Sequence, residues 1–270
     1  MVSHSSPEEE DAAAQHEAGS DARALELEAP TLEAANPGAE GPALYLVATP
    51  IGNLADISAR ALEVLQSCSL VACEDTRHSG RLLSAHGIRA KLLSLTEHNE
   101  AQRSAQILGW LREGHRIALV SDAGMPTISD PGQRLVQSVV AAGLRVVPVP
   151  GANAVMAALS ASGLPTVPFY FGGFLAHRKG QRDKELQAAI ARDCTSVYFE
   201  SPFRLVDSLG MIAATAPEHK VVVARELTKK FEEFTRGSAQ QVLEHYRTHT
   251  PRGEITLLIA PAELPRWMQW

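Results

Sequence analysis

The sequence predicts an α/β fold with a mainly parallel sheet, followed by a second α/β unit. Two observations carry this expectation. From residue 43 to residue 163, short apolar runs alternate with segments whose apolar residues recur at helical spacing, across short loops. The rhythm then breaks at LPTVPFYFGGFLAHRKGQRDK (164–184), where Pro, Gly and basic residues cluster, before strands and helices resume. The expected organisation is a disordered acidic tail over 1–42, an N-terminal α/β domain over 43–163, a linker over 164–180 and a C-terminal α/β domain over 181–270.

The elements read as follows. ALYLVA (43–48) is a short buried strand, and DISARALEVLQSC (56–68) has helical periodicity. SLVACE (69–74) is a strand and TRHSGRLLSAHG (76–87) a helix with a Gly stop. KLLSL (91–95) and RIALVSD (116–122) are strands flanking the helix NEAQRSAQILGWLREG (99–114). PGQRLVQSVVAAG (131–143) is a helix with Pro and Gly in its first turn. LRVVPVP (144–150) is a strand and ANAVMAALSASG (152–163) a helix of small residues. In the second unit the strands are TSVYFE (195–200), HKVVVARELT (219–228), FEEFTRG (231–237) and GEITLLIA (253–260). Its helices are 181–193, 202–216 and 238–249.

Composition narrows the function. Of 270 residues 45% are apolar, enough for a core, yet no run of about 20 apolar residues exists to span a membrane. The first residues lack the basic-then-apolar order of a signal peptide. Cys68, Cys73 and Cys194 have no metal-ligand spacing, and their apolar neighbours favour reduced thiols in a cytoplasm. The net charge of −6 is uneven: residues 1–42 hold ten acidic residues and one basic, leaving 24 basic and 21 acidic in the rest. The body is therefore faintly basic, which permits a polyanionic partner.

Ligands of open parallel sheets sit beyond the carboxyl ends of the strands. Three loops expected there are unusual: ATPIGNLAD (48–56), SDAGMPTISDPG (121–132) and PVPGANA (148–154). Glycine lets backbone approach a ligand, and proline holds the loop rigid. Neither a Walker loop nor a GxGxxG string occurs, and no Lys follows these glycines within the loops, which disfavours an anionic nucleotide. A ligand with a cationic centre and an adenosine suits carbonyls, amides and an Asp better; S-adenosylmethionine is such a ligand.

TPIGNLADIS (49–58), ACEDTRHSGRLL (72–83), EHNE (97–100), VSDAGMPTISDPG (120–132), VPVPGANA, YFESPFRL (198–205) and VARELTK (223–229) carry a resemblance that runs from about residue 44 to residue 260. The chain resembles the rRNA branch of the tetrapyrrole-methylase-like (class III) methyltransferases, the bacterial 16S rRNA cytidine 2′-O-methyltransferases that act near the decoding centre. The resemblance implies two α/β domains with the S-adenosylmethionine cleft between them, and a homodimer. It implies cofactor contacts from Pro50, Ile51 and Gly52, from Asp122, Ala123, Gly124 and Thr127, and from Gly151, Ala152 and Asn153. The second domain is expected to add Glu200, Ser201, Ala224 and Arg225. The chain departs from the family pattern at Met125, where Thr is usual, at Phe203, where His is frequent, and at PGANA in place of PGPSA.

CEDTRH (73–78) and TEHNE (96–100) form a charged corner. Asp75 or Thr76 can cap the helix beginning near Arg77, and Asn99 the next one. Capping does not account for Glu74, Arg77 and His98. The E-D-x-x-H spacing is no known metal-ligand string, so no metal is expected. Glu74, Asp75 and His98 are candidate bases for a ribose hydroxyl, and Arg77 a partner of Asp75 or of an RNA phosphate; Glu74, Asp75, Arg77 and His98 are the expected catalytic group. Arg178, Lys179, Arg182 and Lys184, with Lys229 and Lys230, are expected to contact 16S rRNA or the assembled small subunit. The competing readings are a solvated charge run, a tetrapyrrole C-methyltransferase and a non-catalytic RNA-binding module.

Overall fold

The computed structural model describes residues 41–264 and residue 266. The expected tail lies outside the described residues except for residues 41 and 42. The chain forms two five-stranded sheets. The first contains β1 (Ala43–Val47), β2 (Leu70–Cys73), β3 (Leu92–Ser94), β4 (Arg116–Leu119) and β5 (Val146–Val149) in the order β3-β2-β4-β1-β5. Every pairing in it is parallel. Four helices connect its strands: α1 (Ala59–Ser67), α2 (Thr76–Ala85), α3 (Glu100–Arg112) and α4 (Gln133–Ala141). A parallel sheet needs such crossovers, and they cover both faces. All five residues of β1 are accordingly buried. Tyr45 and Val47 pack with α1 and α2 residues on one face, and Leu44 and Leu46 with α3 and α4 residues on the other.

The second sheet contains β6 (Phe169–Phe174), β7 (Thr195–Glu200), β8 (Lys220–Arg225), β9 (Glu233–Ser238) and β10 (Ile255–Ile259) in the order β6-β7-β10-β8-β9. Only β6 and β7 pair in parallel; the other pairings are antiparallel. The mainly parallel expectation therefore holds for the first sheet alone, because β8 turns directly into β9 without a crossover helix. Helices α6 (Lys179–Ile190), α7 (Leu205–Thr215) and α8 (Ala239–Thr248) cover one face. The other face receives α5 (Ala154–Ser162), whose Val155, Ala158 and Leu159 join Val197, Val222 and Leu258. Thus α5, which follows the first sheet in sequence, packs on the second.

The segment 164–180, expected as a linker, contributes β6 and the start of α6. Its prolines and paired glycines conceal a strand: Phe169, Tyr170 and Phe171 pair with β7, then a bulge at Gly172 and Gly173 shifts the register before Phe174 pairs with Phe199. Gly132, expected inside the first turn of α4, is its N-cap residue at φ 117. Among the described residues, no helix is long and apolar enough to cross a membrane.

Candidate functional site

Three loops of the first sheet converge at Gly124. Its N–H donates to the Thr49 carbonyl at 3.0 Å, and the Thr49 N–H donates to the Gly124 carbonyl at 2.9 Å. The Ser121 hydroxyl donates to the same Gly124 oxygen at 3.2 Å, and the Thr49 hydroxyl to the Ser121 carbonyl at 3.0 Å. At φ 83 a glycine is favoured here, and a β-carbon would stand 3.4 Å from the Ile51 side chain and 3.5 Å from the Ala152 carbonyl. The loop then holds Thr127 at φ 73 and Ser129 at φ 69. Such left-handed conformations cost about 1–3 kcal/mol each and concentrate at functional loops.

A cavity of about 400 Å³ opens between these loops and the second sheet. Ile51, Asp122, Ala123, Gly124 and Asn153 line it from the first side, and Glu200, Ser201 and Ala224 from the second, as expected. Glu74 also lines it, from the end of β2. Met125, Ile128, Ser129, Asp130, Phe174, Phe199 and Leu227 complete much of the wall, with the 253–256 segment. Of these, Met125 was anticipated only as a departure. Asp130 stood in plain view in the DPG string; its position eight residues after Asp122 gave no sign that the loop folds back to bring both carboxylates to one cavity.

The first wall is rich in unpaired acid. Burial first, then the charges of Glu74 and Asp122, raise the Asp130 carboxyl to about 6. Glu74 is exposed at the opening, and its carboxyl is also raised, by burial of its inner part and then by Asp122, Glu97 and Asp75. Asp122 Oδ1 is buried with no hydrogen-bond partner among the described residues. An orphaned acceptor beside two crowded carboxylates matches a ligand carrying positive charge. The apolar side chains of Ile51, Val155, Phe199 and Leu227 offer its uncharged part a dry surface. Among the described residues, no group of three or more His, Cys, Asp or Glu is placed to hold a metal ion.

The remaining expected residues are elsewhere. Pro50 is buried, and Gly52 lies against the Lys229 side chain, where a β-carbon would overlap. Gly151 packs on Ala48, Ala152 borders Gly124, and Thr127 supplies backbone strain; none of these lines the cavity. Arg225 is turned to β9, donating to Glu233 at 2.8 and 3.0 Å, and does not line the cavity. Glu200 is fully occupied: its carboxylate accepts from the Ser201 N–H at 2.6 Å, Arg204 Nε at 3.0 Å and the Ser208 hydroxyl at 2.6 Å. Asn153 lines the cavity and also caps α5 through the Met156 N–H at 3.1 Å.

Asp75, Arg77 and His98 are exposed and do not line the cavity. Asp75 caps α2, accepting from the Arg77 and His78 N–H groups at 2.7 and 3.2 Å, and these bonds hold its carboxyl below the usual range. Asn99 stands at the N-cap of α3 as expected but makes no side-chain cap bond; its side chain accepts from the Thr96 N–H and donates to the Ser94 carbonyl. The structural anchor in EHNE is Glu100, buried and accepting from the N–H groups of Gly132, Arg134 and Leu135 at the start of α4.

The expected RNA-facing cations divide. Arg178, Lys179, Lys184 and Lys230 are exposed. Arg182 is 4% exposed and donates to the Ala176 and His177 carbonyls, so no phosphate can reach it. Lys229 bridges Glu226 at 2.8 Å and Glu254 at 3.2 Å.

The match to known proteins agrees with this architecture. Residues 43–243 match the model of the Tetrapyrrole (Corrin/Porphyrin) Methylases. A Mesorhizobium japonicum protein named Ribosomal RNA small subunit methyltransferase I is 50% identical over 224 residues, covering 82% of this chain and 76% of its own. The Escherichia coli O157:H7 protein of the same name is 50% identical over 220 residues, covering 80% and 77%. A solved diphthine synthase shares the fold at TM-score 0.66 and 14% identity, covering 82% of this chain and 91% of that one. Two such sheets, with the cavity between them and sequence similarity across both, mean that this chain belongs to the tetrapyrrole (corrin/porphyrin) methylase family.

Proposed function

We propose that the chain methylates the 2′-hydroxyl of a cytidine ribose in 16S rRNA, near the decoding centre, using S-adenosyl-L-methionine. The observation that carries this reading is the 50% identity, over 82% of the chain, to a protein named for small-subunit rRNA methylation. The cavity supports it, because its unpaired acid suits a sulfonium cation. Bound there, the cofactor supplies an electrophilic methyl group. Asp122 and the Ala123–Gly124 backbone would hold it on the first side, with Ile51 and Asn153, and Ala224 would border it on the second. Asp130 and Glu74 are the carboxylates suited to take the hydroxyl proton. With its carboxyl raised to about 6, Asp130 is still mostly ionised at neutral pH and is a stronger base than an ordinary aspartate. Holding the hydroxyl in line is worth up to roughly 7–11 kcal/mol in favourable cases.

The same proposal includes a homodimer. The edge strand β6 and the residues before it expose Val167 (85%), Phe169 and Tyr170, a surface of the kind that copies bury. Transfer of labelled methyl to naked 16S rRNA and to assembled small subunits, with the modified nucleotide mapped, tests the activity. Label in a base, or no label in either substrate, would overturn it. Sedimentation of the full chain tests the dimer.

A further inference from the structure

Two phenylalanines are exposed where apolar burial does not account for them, Phe174 in the cavity wall and Phe203 next to the lining residue Pro202. Phe174 lines the cavity yet is 61% exposed, and Phe203 is 94% exposed. They leave neighbouring strands at the same end. Phe174 closes β6, Phe203 follows the last residue of β7 by three positions, and the two strands run parallel with Phe174 opposite Phe199.

Both are held in place. The bulge before Phe174 requires its two glycines for separate reasons: a β-carbon on Gly172 would overlap the Tyr198 ring, and Gly173 lies at φ 71. A β-carbon on Gly173 would also stand 3.4 Å from the hydroxyl of Ser129, the strained residue of the opposite wall. The bulge thus re-aims Phe174 at the point where the walls meet. Its ring is then tilted 57° against Phe199 at 5.2 Å, and Phe199 rests edge-on against Phe171. On the other strand, the buried Glu200 carboxylate binds the Ser201 N–H, Arg204 and Ser208 and so clamps the turn that presents Phe203. The Phe203 N–H donates to the Ser201 hydroxyl at 3.3 Å. A fully buried carboxylate spent on a turn whose tip is a solvent-facing ring is a costly arrangement unless the ring has work in another state.

We propose that Phe174 and Phe203 form a stacking platform for an unstacked nucleobase of the RNA substrate, the base whose ribose enters the cavity. This rests on the RNA-methylating reading above. A ribose hydroxyl inside the cavity leaves its base one glycosidic bond away, at the mouth. A base held there has left its helical stack, and aromatic faces replace the stacking it lost. Charge complementarity favours nucleic acid over a neutral partner: the exposed Arg178 follows Phe174 by four residues, and the exposed Lys179, which also pairs with Asp183 at 2.6 Å, by five. A phosphate flanking the extruded nucleotide is the group such cations would meet.

The test compares Phe174→Leu and Phe203→Leu, which keep apolar bulk without a π face, with Phe174→Trp and Phe203→Trp, which keep the face. Labelled-methyl transfer to 16S rRNA and to assembled subunits is measured for each, alongside S-adenosylmethionine binding by calorimetry, melting temperature and sedimentation. Stacking one base is worth roughly a 5- to 150-fold change in affinity. The Leu variants should therefore raise KM for RNA by about tenfold or more. The Trp variants should stay within about threefold of wild type, and the Phe203 variants, which do not line the cavity, should leave cofactor affinity and melting unchanged. Wild-type KM in both Leu variants sinks the platform while leaving the methyltransferase reading intact. Equal losses in Leu and Trp variants also sink it, as does a loss that accompanies conversion of dimer to monomer, which would assign the rings to a contact between copies. Absence of transfer by the wild-type chain overturns the platform and the reading together.

Discussion

The two walls of the cavity both present carboxylates, but in opposite electrostatic states. On the first wall, Glu74 and Asp130 are raised by burial and by mutual repulsion, and Asp122 keeps an orphaned oxygen. On the second, Glu200 is saturated by three donors, and Glu254 bridges Lys229 at 3.2 Å. One wall is frustrated until something positive arrives; the other is satisfied and rigid. The difference assigns ligand chemistry to the parallel sheet and framing to the mixed one. It follows from topology, because parallel strands deliver all their carboxyl-end loops to one edge, whereas antiparallel neighbours send alternate loops away.

The largest expected effect breaks the frustrated wall. In single-turnover transfer at saturating RNA and cofactor, Asp130→Asn and Glu74→Gln should lower the rate about 10²–10⁴-fold, summed over whichever of them takes the proton. Asp75→Asn and His98→Ala should remain within a few-fold, since neither lines the cavity. At limiting cofactor, where the free chain sets the profile, the wild-type rate should rise with pH through about 6 as Asp130 ionises, and Asp130→Asn should flatten that limb. Full activity in both cavity variants, with loss in Asp75→Asn, would return the chemistry to the outer corner.

The next effect contrasts an acid from each wall. Glu200→Ala removes a 2%-exposed carboxylate from three donors and leaves Arg204 partly buried, which should cost about 2–4 kcal/mol and lower the melting temperature by several degrees. Asp122→Ala should leave unliganded melting nearly unchanged but weaken cofactor binding about 10- to 100-fold, the range for a hydrogen bond to a charged group. Calorimetry and thermal melts on both variants read the two outcomes; an exchange of phenotypes would reverse the assignment of the walls.

Much of this division could be read from the amino-acid sequence, and the failures have physical causes. The first sheet was legible because buried parallel strands are unbroken apolar runs, as in ALYLV and RIAL, separated by well-marked helices. β6 was hidden by the glycines that make its bulge. Loop position places Asp122 and Gly124 at the carboxyl edge of the first sheet, where they line the cavity, but pairing partners distant in sequence decide the surroundings of Arg225, Arg182 and Lys229. Local charge pattern says nothing of a Glu233 eight residues away on the next strand, or of carbonyls that swallow a guanidinium. Glu100 shows the same limit: its work is at a helix that begins more than thirty residues later.

A smaller effect tests the sign of the frustration. The folded Asp130 carboxyl is raised to about 6 from 3.8, so folding favours its protonated form. Its favourable contribution is full below about pH 3.8 and is lost as pH rises through about 6. At neutral pH its ionised form therefore opposes folding, by about 1–2 kcal/mol after allowance for its partial exposure. Asp130→Asn should raise the unliganded melting temperature at pH 7.5 and leave it unchanged near pH 4, as scanning calorimetry would read. A drop at pH 7.5 would mean that Asp130 is a structural acid like Glu200.

The smallest effect sharpens the contrast among the cations. Lys230 and Lys184 are exposed, whereas Lys229 is committed to Glu226 and Glu254. If RNA phosphates meet the exposed set, each exposed lysine that touches one releases counterions on binding. Removing it should then lower the log–log dependence of affinity on salt by about 0.7. Lys230→Gln and Lys184→Gln should reduce that slope without altering melting. Lys229→Gln should leave the slope unchanged and instead loosen the 226–229 turn, because it frees two carboxylates to repel each other. A slope change from Lys229→Gln equal to that of Lys230→Gln would mean that RNA outcompetes its two acidic partners. The second wall would then open on substrate binding, and its rigidity in the free chain would be the state that RNA displaces.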